Sequence, residues 1–367
     1  MKIGVNLTHL TKFNSGAKTH FINLFEEILS TDLKNDYYFF LSKEMKLEEL
    51  SFLKKNNTFL VYTNLPPQSA PGSLSFLRFF KIYIFFNKYF KNNKLDIFIH
   101  TSLPLIKNPH GKTLSNIFDI RYLHKDYEKN LFKRLIYKLI LRYCLIYSDY
   151  IITISNFIKK EISKNFKTKN KKLKVLYCSI QNQKKIKQNR KNFILSVGHY
   201  EKRKNYLNLV KSFNILKKEY GYLGSLVIVS KNFTKKNTIT EYIKKNKIEK
   251  FVHIKRSVSN DRLRKYYASA ELFVFPSVYE GFGLPILEAL MQNCKILTSN
   301  INVFKEILGS RFAYFDPFSP NDISKKMFMI IKNKTLFFNN NKPNKKILNK
   351  FNSKNISSDF LNFLNKI

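Results

Sequence analysis

The 367-residue sequence has no tryptophan, only ten glycines and three cysteines, and 25 acidic residues against 66 Lys and Arg. Each shortage excludes something. Cys144, Cys178 and Cys294 are isolated, odd in number and without paired spacing. That excludes a disulfide framework or a cysteine metal site and reads as small buried hydrophobes in a reducing compartment. No uncharged apolar run reaches the roughly 18 residues of a membrane span. Met1-Lys2-Ile3-Gly4-Val5 reads as a strand rather than a signal peptide. The expected location is the cytoplasm, with the inner face of the plasma membrane as the membrane within reach.

The shortage of carboxylates leaves a formal net charge of +41. Such an excess attracts nucleic acid, acidic membrane or phosphorylated substrates. The favoured residues (Lys, Asn, Ile, Phe, Tyr) have A/T-rich codons, so base composition alone also raises Lys. The charge selects no partner by itself. No recognisable nucleic-acid-binding module accompanies it, and no nucleic acid is expected as a ligand.

What is present suits a folded chain, 44% hydrophobic and 25% charged, long enough for two domains. Short apolar strands are read at 2–7, 37–41, 58–62, 96–100, 113–118, 150–154 and 173–177, then at 193–197, 226–229, 252–254, 272–275 and 295–298. Helical spacing is read at 21–29, 205–219, 260–268, 285–292 and 356–364. Alternation of short apolar strands with helices implies an α/β architecture with parallel sheets covered on both faces. Lys164–Lys191 is rich in Lys, Asn and Gln and holds the connection, near 179–192. The expected domains are 1–180, 181–345 and a tail helix in 346–367 that packs back toward the first domain.

The chemistry concentrates in Leu272–Leu290, a strand, a loop and a helix. Gly281 and Gly283 let the loop turn sharply and approach a ligand. Pro285 suits the first helical turn, and amides near Gly283, Leu284 and Ile286 are expected to face an anion at the helix N-terminus. Glu280 and Glu288 stand where ligands of such sheets bind, and carboxylates accept hydrogen bonds from sugar or ribose hydroxyls. The same residues also fit an ordinary βα turn with two surface glutamates. Phe193–Asn205 is a second strand and turn, followed by the basic cluster Lys202-Arg203-Lys204. It fits either a diphosphate site or a solvated charge run.

Phe275–Ala289 resembles the E-x7-E motif, F-P-S-x-x-E-G-F-G-L-P-x-L-E-A, of glycosyltransferase family 4, retaining enzymes of the GT-B fold. The resemblance implies two doubly wound Rossmann-like domains facing across a cleft. It implies that Glu280 contacts the donor sugar, that Glu288 holds the nucleotide ribose, and that Phe282, Gly283 and Leu284 serve the sugar and diphosphate. Phe193–Asn205 resembles the family's V-G-x-x-x-x-R-K-N element, in which Lys204 holds the diphosphate. His199 stands where relatives carry arginine, so diphosphate binding there is expected either to be weaker or to rely on Arg203. The Asn14–Thr19 loop resembles the family's first glycine loop, with Gly16 under the sugar-phosphate. Asn116–His124 resembles a strand ending in I-H-D-L. Asp119 is kept there, but Phe118 replaces the His that lies near donor and acceptor, with His124 or Arg121 as the candidates to compensate; a structural role for His124 is the alternative.

The implied reaction moves a sugar, mannose among the candidates, from a GDP- or UDP-sugar to a saccharide or lipid-linked acceptor in cell-surface polysaccharide or lipopolysaccharide synthesis. It needs no cofactor and no metal, and the nucleotide sugar is a co-substrate. The departures at Phe118 and His199 keep open a catalytically silent protein that binds a nucleotide sugar. Phe76–Phe90, with Arg78, Lys81 and Lys88 on one side and aromatics around the rest, fits either an interfacial helix on an anionic membrane or a core-facing helix.

Overall fold

Short apolar strands that bury both faces dictate parallel sheets with helices on either side. In the computed structural model of the chain, the described residues are 1–9, 16–42, 47–65, 73–101, 106–167, 172–181, 185–231, 233–234, 237–256, 258–332 and 342–367. They form two units: residues 1–181 with 351–367, and residues 182–350. Among the described residues, no helix is long and apolar enough to cross a membrane.

The first unit runs β1 (Lys2–Asn6), α1 (Gly16–Thr31), β2 (Asp36–Ser42), β3 (Thr58–Thr63), α2 (Ser73–Asn92), β4 (Ile97–His100), β5 (Lys112–Ile117), α3 (Leu131–Tyr147), β6 (Tyr150–Thr153), α4 (Asn156–Asn165) and β7 (Leu173–Val175). The second runs β8 (Lys191–Val197), α5 (Tyr206–Tyr220), β9 (Ser225–Val229), α6 (Thr238–Lys245), β10 (Val252–Lys255), α7 (Asn260–Ser269), β11 (Ala270–Phe275), α8 (Leu284–Met291), β12 (Ile296–Ser299), α9 (Asn302–Leu308), β13 (Ala313–Phe315), α10 (Pro320–Ile331) and α11 (Lys342–Lys350). The chain then returns to the first unit as α12 (Ser353–Leu364).

The first sheet has the order β3-β2-β1-β4-β5-β6-β7 and the second β10-β9-β8-β11-β12-β13. Every pairing is parallel. In both sheets the strand order reverses beside the unit's first strand, between β1 and β4 and between β8 and β11. Loops leaving the carboxyl ends of such a pair diverge and open a crevice.

Several elements went unanticipated, among them α3, α6, β13 and α10. β13 is a three-residue edge strand paired with β12, too short for a periodicity to show. α10 is signalled by its ends: Ser319 accepts from the Asp322 amide and Pro320 opens the first turn. The expected boundary at 345 also moves, because α11 belongs to the second unit, which reaches Lys350. The basic cluster does not open the helix directly. Lys202–Lys204 forms a 3-10 turn, and Asn205, at φ 56°, is left-handed before α5 begins.

The return segment is built into the first core. The Ile180 amide donates to Phe351 O at 2.9 Å, and the Ser353 amide donates to Ile180 O at 3.0 Å. Ile356, Phe360 and Leu364, spaced by four, join Leu24, Ile28 and their neighbours, and the Ser357 hydroxyl donates to Leu24 O at 3.2 Å. Part of α2 also faces a core: Ile82, Phe86 and Phe90 are buried beside Phe40 and Phe98, whereas Lys81, Tyr83, Ile84 and Lys88 are exposed. Phe360→Ala should cost about 3–5 kcal/mol of first-unit stability, the range for deleting a buried Phe. Urea unfolding followed by tyrosine fluorescence checks this; an unmoved midpoint would mean that α12 is a detachable appendage.

Candidate functional site

The loop after β8 and the loop after β11 leave adjacent strands at the reversal point of the second sheet. They place three charged side chains in contact. Lys204 Nζ donates to Glu280 Oε1 at 2.5 Å, and Arg203 Nη1 lies 2.5 Å from Glu280 Oε2. Arg203 Nε also donates to Glu201 at 2.6 Å. The backbones join as well, since the Val278 amide donates to Arg203 O and Arg203 Nη1 donates to Tyr279 O. Lys204 is buried, and its ammonium stands 4.8 Å from the centre of the Phe275 ring.

Two glycines make room. A side chain at residue 198 would meet the Lys204 stem and the Tyr206 hydroxyl at 3.0–3.1 Å. Gly283 sits at φ 149°, where L residues are strained, and a Cβ there would press on Ile286 and Phe304.

Burial alone would raise the Glu280 carboxyl. Lys204 and Arg203 outweigh it and hold the pKa at about 2. Burial also opposes the Arg203 charge, but Glu280 and Glu201 more than offset this and keep it above its ordinary value. Lys204 is drawn below its ordinary value by burial, against the pull of Glu280. His199 is likewise lowered by burial, with nearby cations adding to the shift against Glu201.

Glu288 on α8 accepts from the Tyr267 hydroxyl at 2.9 Å, and burial raises its pKa. Two phenols near the carboxylates are shifted upward. Burial and then Glu280 raise Tyr206, while burial, Glu288 and, more weakly, Tyr206 raise Tyr267. Tyr206 carries no signal in the sequence beyond its place on a helix.

Phe282, Gly283 and Leu284 are buried in the loop and the first turn of α8. Gly283 has no side chain with which to cap α8. The expected trio of outward amides needs correction, because the Ile286 amide donates to Gly283 O at 2.9 Å. The helix closes its first turn on itself there.

Gly16 is the exposed first residue of α1; residues 14 and 15 of its loop lie outside the described residues. Asp119 follows β5 and turns to its own loop, accepting from the Arg121 amide at 3.2 Å. Phe118 packs edge-on against Phe21 and His20, at 5.6 and 6.2 Å between ring centres. His20 was missed by the sequence reading. It is fully buried, neither ring nitrogen has a hydrogen-bond partner among the described residues, and burial lowers its pKa to about 4. His124 lies 3.1 Å from Glu161, which assigns it to α4 rather than to Asp119.

Residues 179–349 match the family model described as Glycosyl transferases group 1. The O-antigen chain mannosyltransferase RfbU of Salmonella typhimurium is 28% identical over 247 residues, covering 66% of this chain and 65% of that protein. This chain thus spans just under two thirds of that relative. Sucrose-phosphate synthase from Thermosynechococcus elongatus superimposes with a TM-score of 0.79 at 13% identity, covering 100% of this chain and 98% of that one. Anabaena HepE in complex with UDP-glucose gives 0.73 at 13% identity, covering both chains fully. The two parallel-sheet α/β units are those of the GT-B fold. The family match and the curated relatives support a glycosyltransferase.

Glu280→Gln keeps the shape of the site and leaves two buried cations facing a neutral amide. The variant should lose about 3–5 kcal/mol, and inorganic diphosphate should restore part of it by returning negative charge. Calorimetry with and without diphosphate checks both. In the parent, the Glu280 contribution should hold above pH 4.5 and fade as pH drops from 4.5 toward 2. Acid titration of the unfolding temperature should show that fade, and Glu280→Gln should abolish it.

Proposed function

We propose that this chain is a retaining glycosyltransferase of cell-surface polysaccharide synthesis. It moves a sugar, mannose first among the candidates, from a nucleotide diphosphate sugar to a saccharide or lipid-linked acceptor. The observation that carries this reading is the contact of Arg203, Lys204 and Glu280 at the strand-order reversal of the second sheet. Similarity to an O-antigen mannosyltransferase supports the setting.

The chemistry follows from the charges. Arg203 and Lys204 meet the donor diphosphate and stabilise it as it leaves. Glu280, ionised at neutral pH, accepts hydrogen bonds from sugar hydroxyls, and Glu288 accepts them from the ribose. The bond from the sugar's anomeric carbon to the phosphate oxygen breaks, and its electron pair leaves with the diphosphate. The acceptor oxygen attacks the anomeric carbon from the same face, which retains configuration. Its proton passes to the departing phosphate oxygen.

A second reading rests on Phe118, which occupies an aromatic cluster with His20 and Phe21 where the family pattern has histidine. In that reading the chain binds a nucleotide sugar without transferring it.

A thermal-shift and hydrolysis screen against GDP-mannose, UDP-glucose, UDP-galactose and UDP-N-acetylgalactosamine decides between the two. One donor should stabilise the chain, by about 2.7 kcal/mol at a hundred times its Kd, and should be hydrolysed or transferred. Lys204→Ala should lower that rate at least about 100-fold. Stabilisation without turnover would favour the silent protein, and no stabilisation by any donor would overturn both readings.

A further inference from the structure

α3 is a helix with two apolar faces, and the first unit covers only one. Leu141, Cys144 and Leu145 are buried, and Tyr137 is partly so. On the other side Leu131 and Phe132 are 73% and 69% exposed, and Leu139 and Ile146 are 57% and 56% exposed. Leu135, Ile136, Tyr143 and Tyr147 extend the same exposed surface. Phe80, Tyr83 and Ile84 of α2 are exposed too. The Tyr143 phenol is raised by burial, by Tyr147 and then by Tyr83. Apolar side chains exposed in this number on one helix mark a docking face.

The charges say what docks. Neither α2 nor α3 contains a single Asp or Glu, whereas α3 carries Lys133, Arg134, Lys138 and Arg142. Lys138 and Arg142 are exposed along one edge of the apolar stripe. Beside them opens a cavity of about 530 Å³, lined by Lys138, Arg142, Lys167 and Lys172 with Ile146 and Phe166, and by no carboxylate. Ile146 belongs to both the stripe and the cavity. A second copy of this chain would set cations against cations across a two-fold axis. A surface that offers anions in one plane and hydrocarbon beneath it matches both features.

We propose that the outer face of α3, continued by Tyr83 and Ile84 of α2, lies in the interface of an anionic phospholipid bilayer, with a lipid phosphate in the Lys138–Arg142 cavity. This moves the main lipid contact from the 76–90 segment, part of which is core, to a helix that the sequence reading passed over, and leaves only Tyr83 and Ile84 of that segment at its margin. The proposal does not rest on sugar transfer, and its test reads lipid binding alone.

The full chain is sedimented with phosphatidylcholine vesicles, with and without phosphatidylglycerol, at low and high salt. It should pellet with the anionic vesicles at low salt and stay in solution with phosphatidylcholine alone. Leu135→Ser with Leu139→Ser and Ile146→Ser should lower the partition coefficient tenfold or more. Lys138→Gln with Arg142→Gln should lower it about twentyfold, roughly fivefold per cation near an anionic surface. Lys218→Gln with Lys245→Gln, exposed cations of the second unit, should change it less than twofold. All these positions are exposed, so unfolding temperatures should match the parent. The proposal is overturned if the parent fails to pellet with anionic vesicles, if the α3 variants bind like the parent, or if the second-unit pair loses as much. It also falls if the parent is a dimer in solution that the α3 serines dissociate.

Discussion

Glu280 answers two cations with one carboxylate, and the second unit is arranged so that it can. Lys204 and Glu280 are 76 residues apart in sequence and 2.5 Å apart in space. Only the reversal of strand order brings them together, because it makes β8 and β11 neighbours whose following loops share one crevice. A buried ammonium cannot stay charged alone, nor can a buried carboxylate. Each loop is therefore held in place by the charge on the other. The bond from the Val278 amide to Arg203 O and that from Arg203 to Tyr279 O stitch the backbones at the same point.

An ion cluster of this kind is a poor choice for stability. Desolvating three charges costs several kcal/mol per ion, and apolar residues of the same volume often serve better. Its physical merit lies in ligand exchange. Under the proposed function, a diphosphate would bring two negative groups to cations already desolvated and oriented, with little reorganisation left at the moment of binding. Glu280 would then exchange part of its cation contact for hydrogen bonds from hydroxyls. Gly198 and Gly283 belong to the same arrangement. One clears space for the Lys204 stem, and the other adopts a backbone angle that sets the start of α8.

The features legible in the sequence are those with local periodicity or an unusual residue at a fixed place. The strands of the second unit show as short apolar runs between helical segments, and Gly281-Phe282-Gly283-Leu284-Pro285 shows as a turn entering a helix. What was not legible depends on tertiary neighbours. The Tyr267 phenol reaches Glu288 only after α7 packs against α8. The Ile286 amide is consumed by Gly283 O, a hydrogen bond that helix propensity does not foretell. The apolar spacing of α3 reads like that of any core helix; packing alone decides which of its two faces meets water. His20 gives no signal either, because a histidine in an amphipathic helix is as compatible with solvent as with burial.

The same distinction sorts the charge of +41. A/T-rich codons raise Lys at solvated positions that tolerate it, and that cause asks nothing of the fold. Codon bias does not account for Leu131, Phe132, Leu139 and Ile146 standing in water on one helix, since exposed apolar area of that extent promotes aggregation. Nor does it account for two helices without one carboxylate. It does not place Arg203 and Lys204 in a desolvated crevice opposite Glu280 either. Where cations meet buried carboxylate or exposed hydrocarbon, a solvated surface is no longer an adequate account of them. Those two places, one in each unit, are where the excess charge has a structural function.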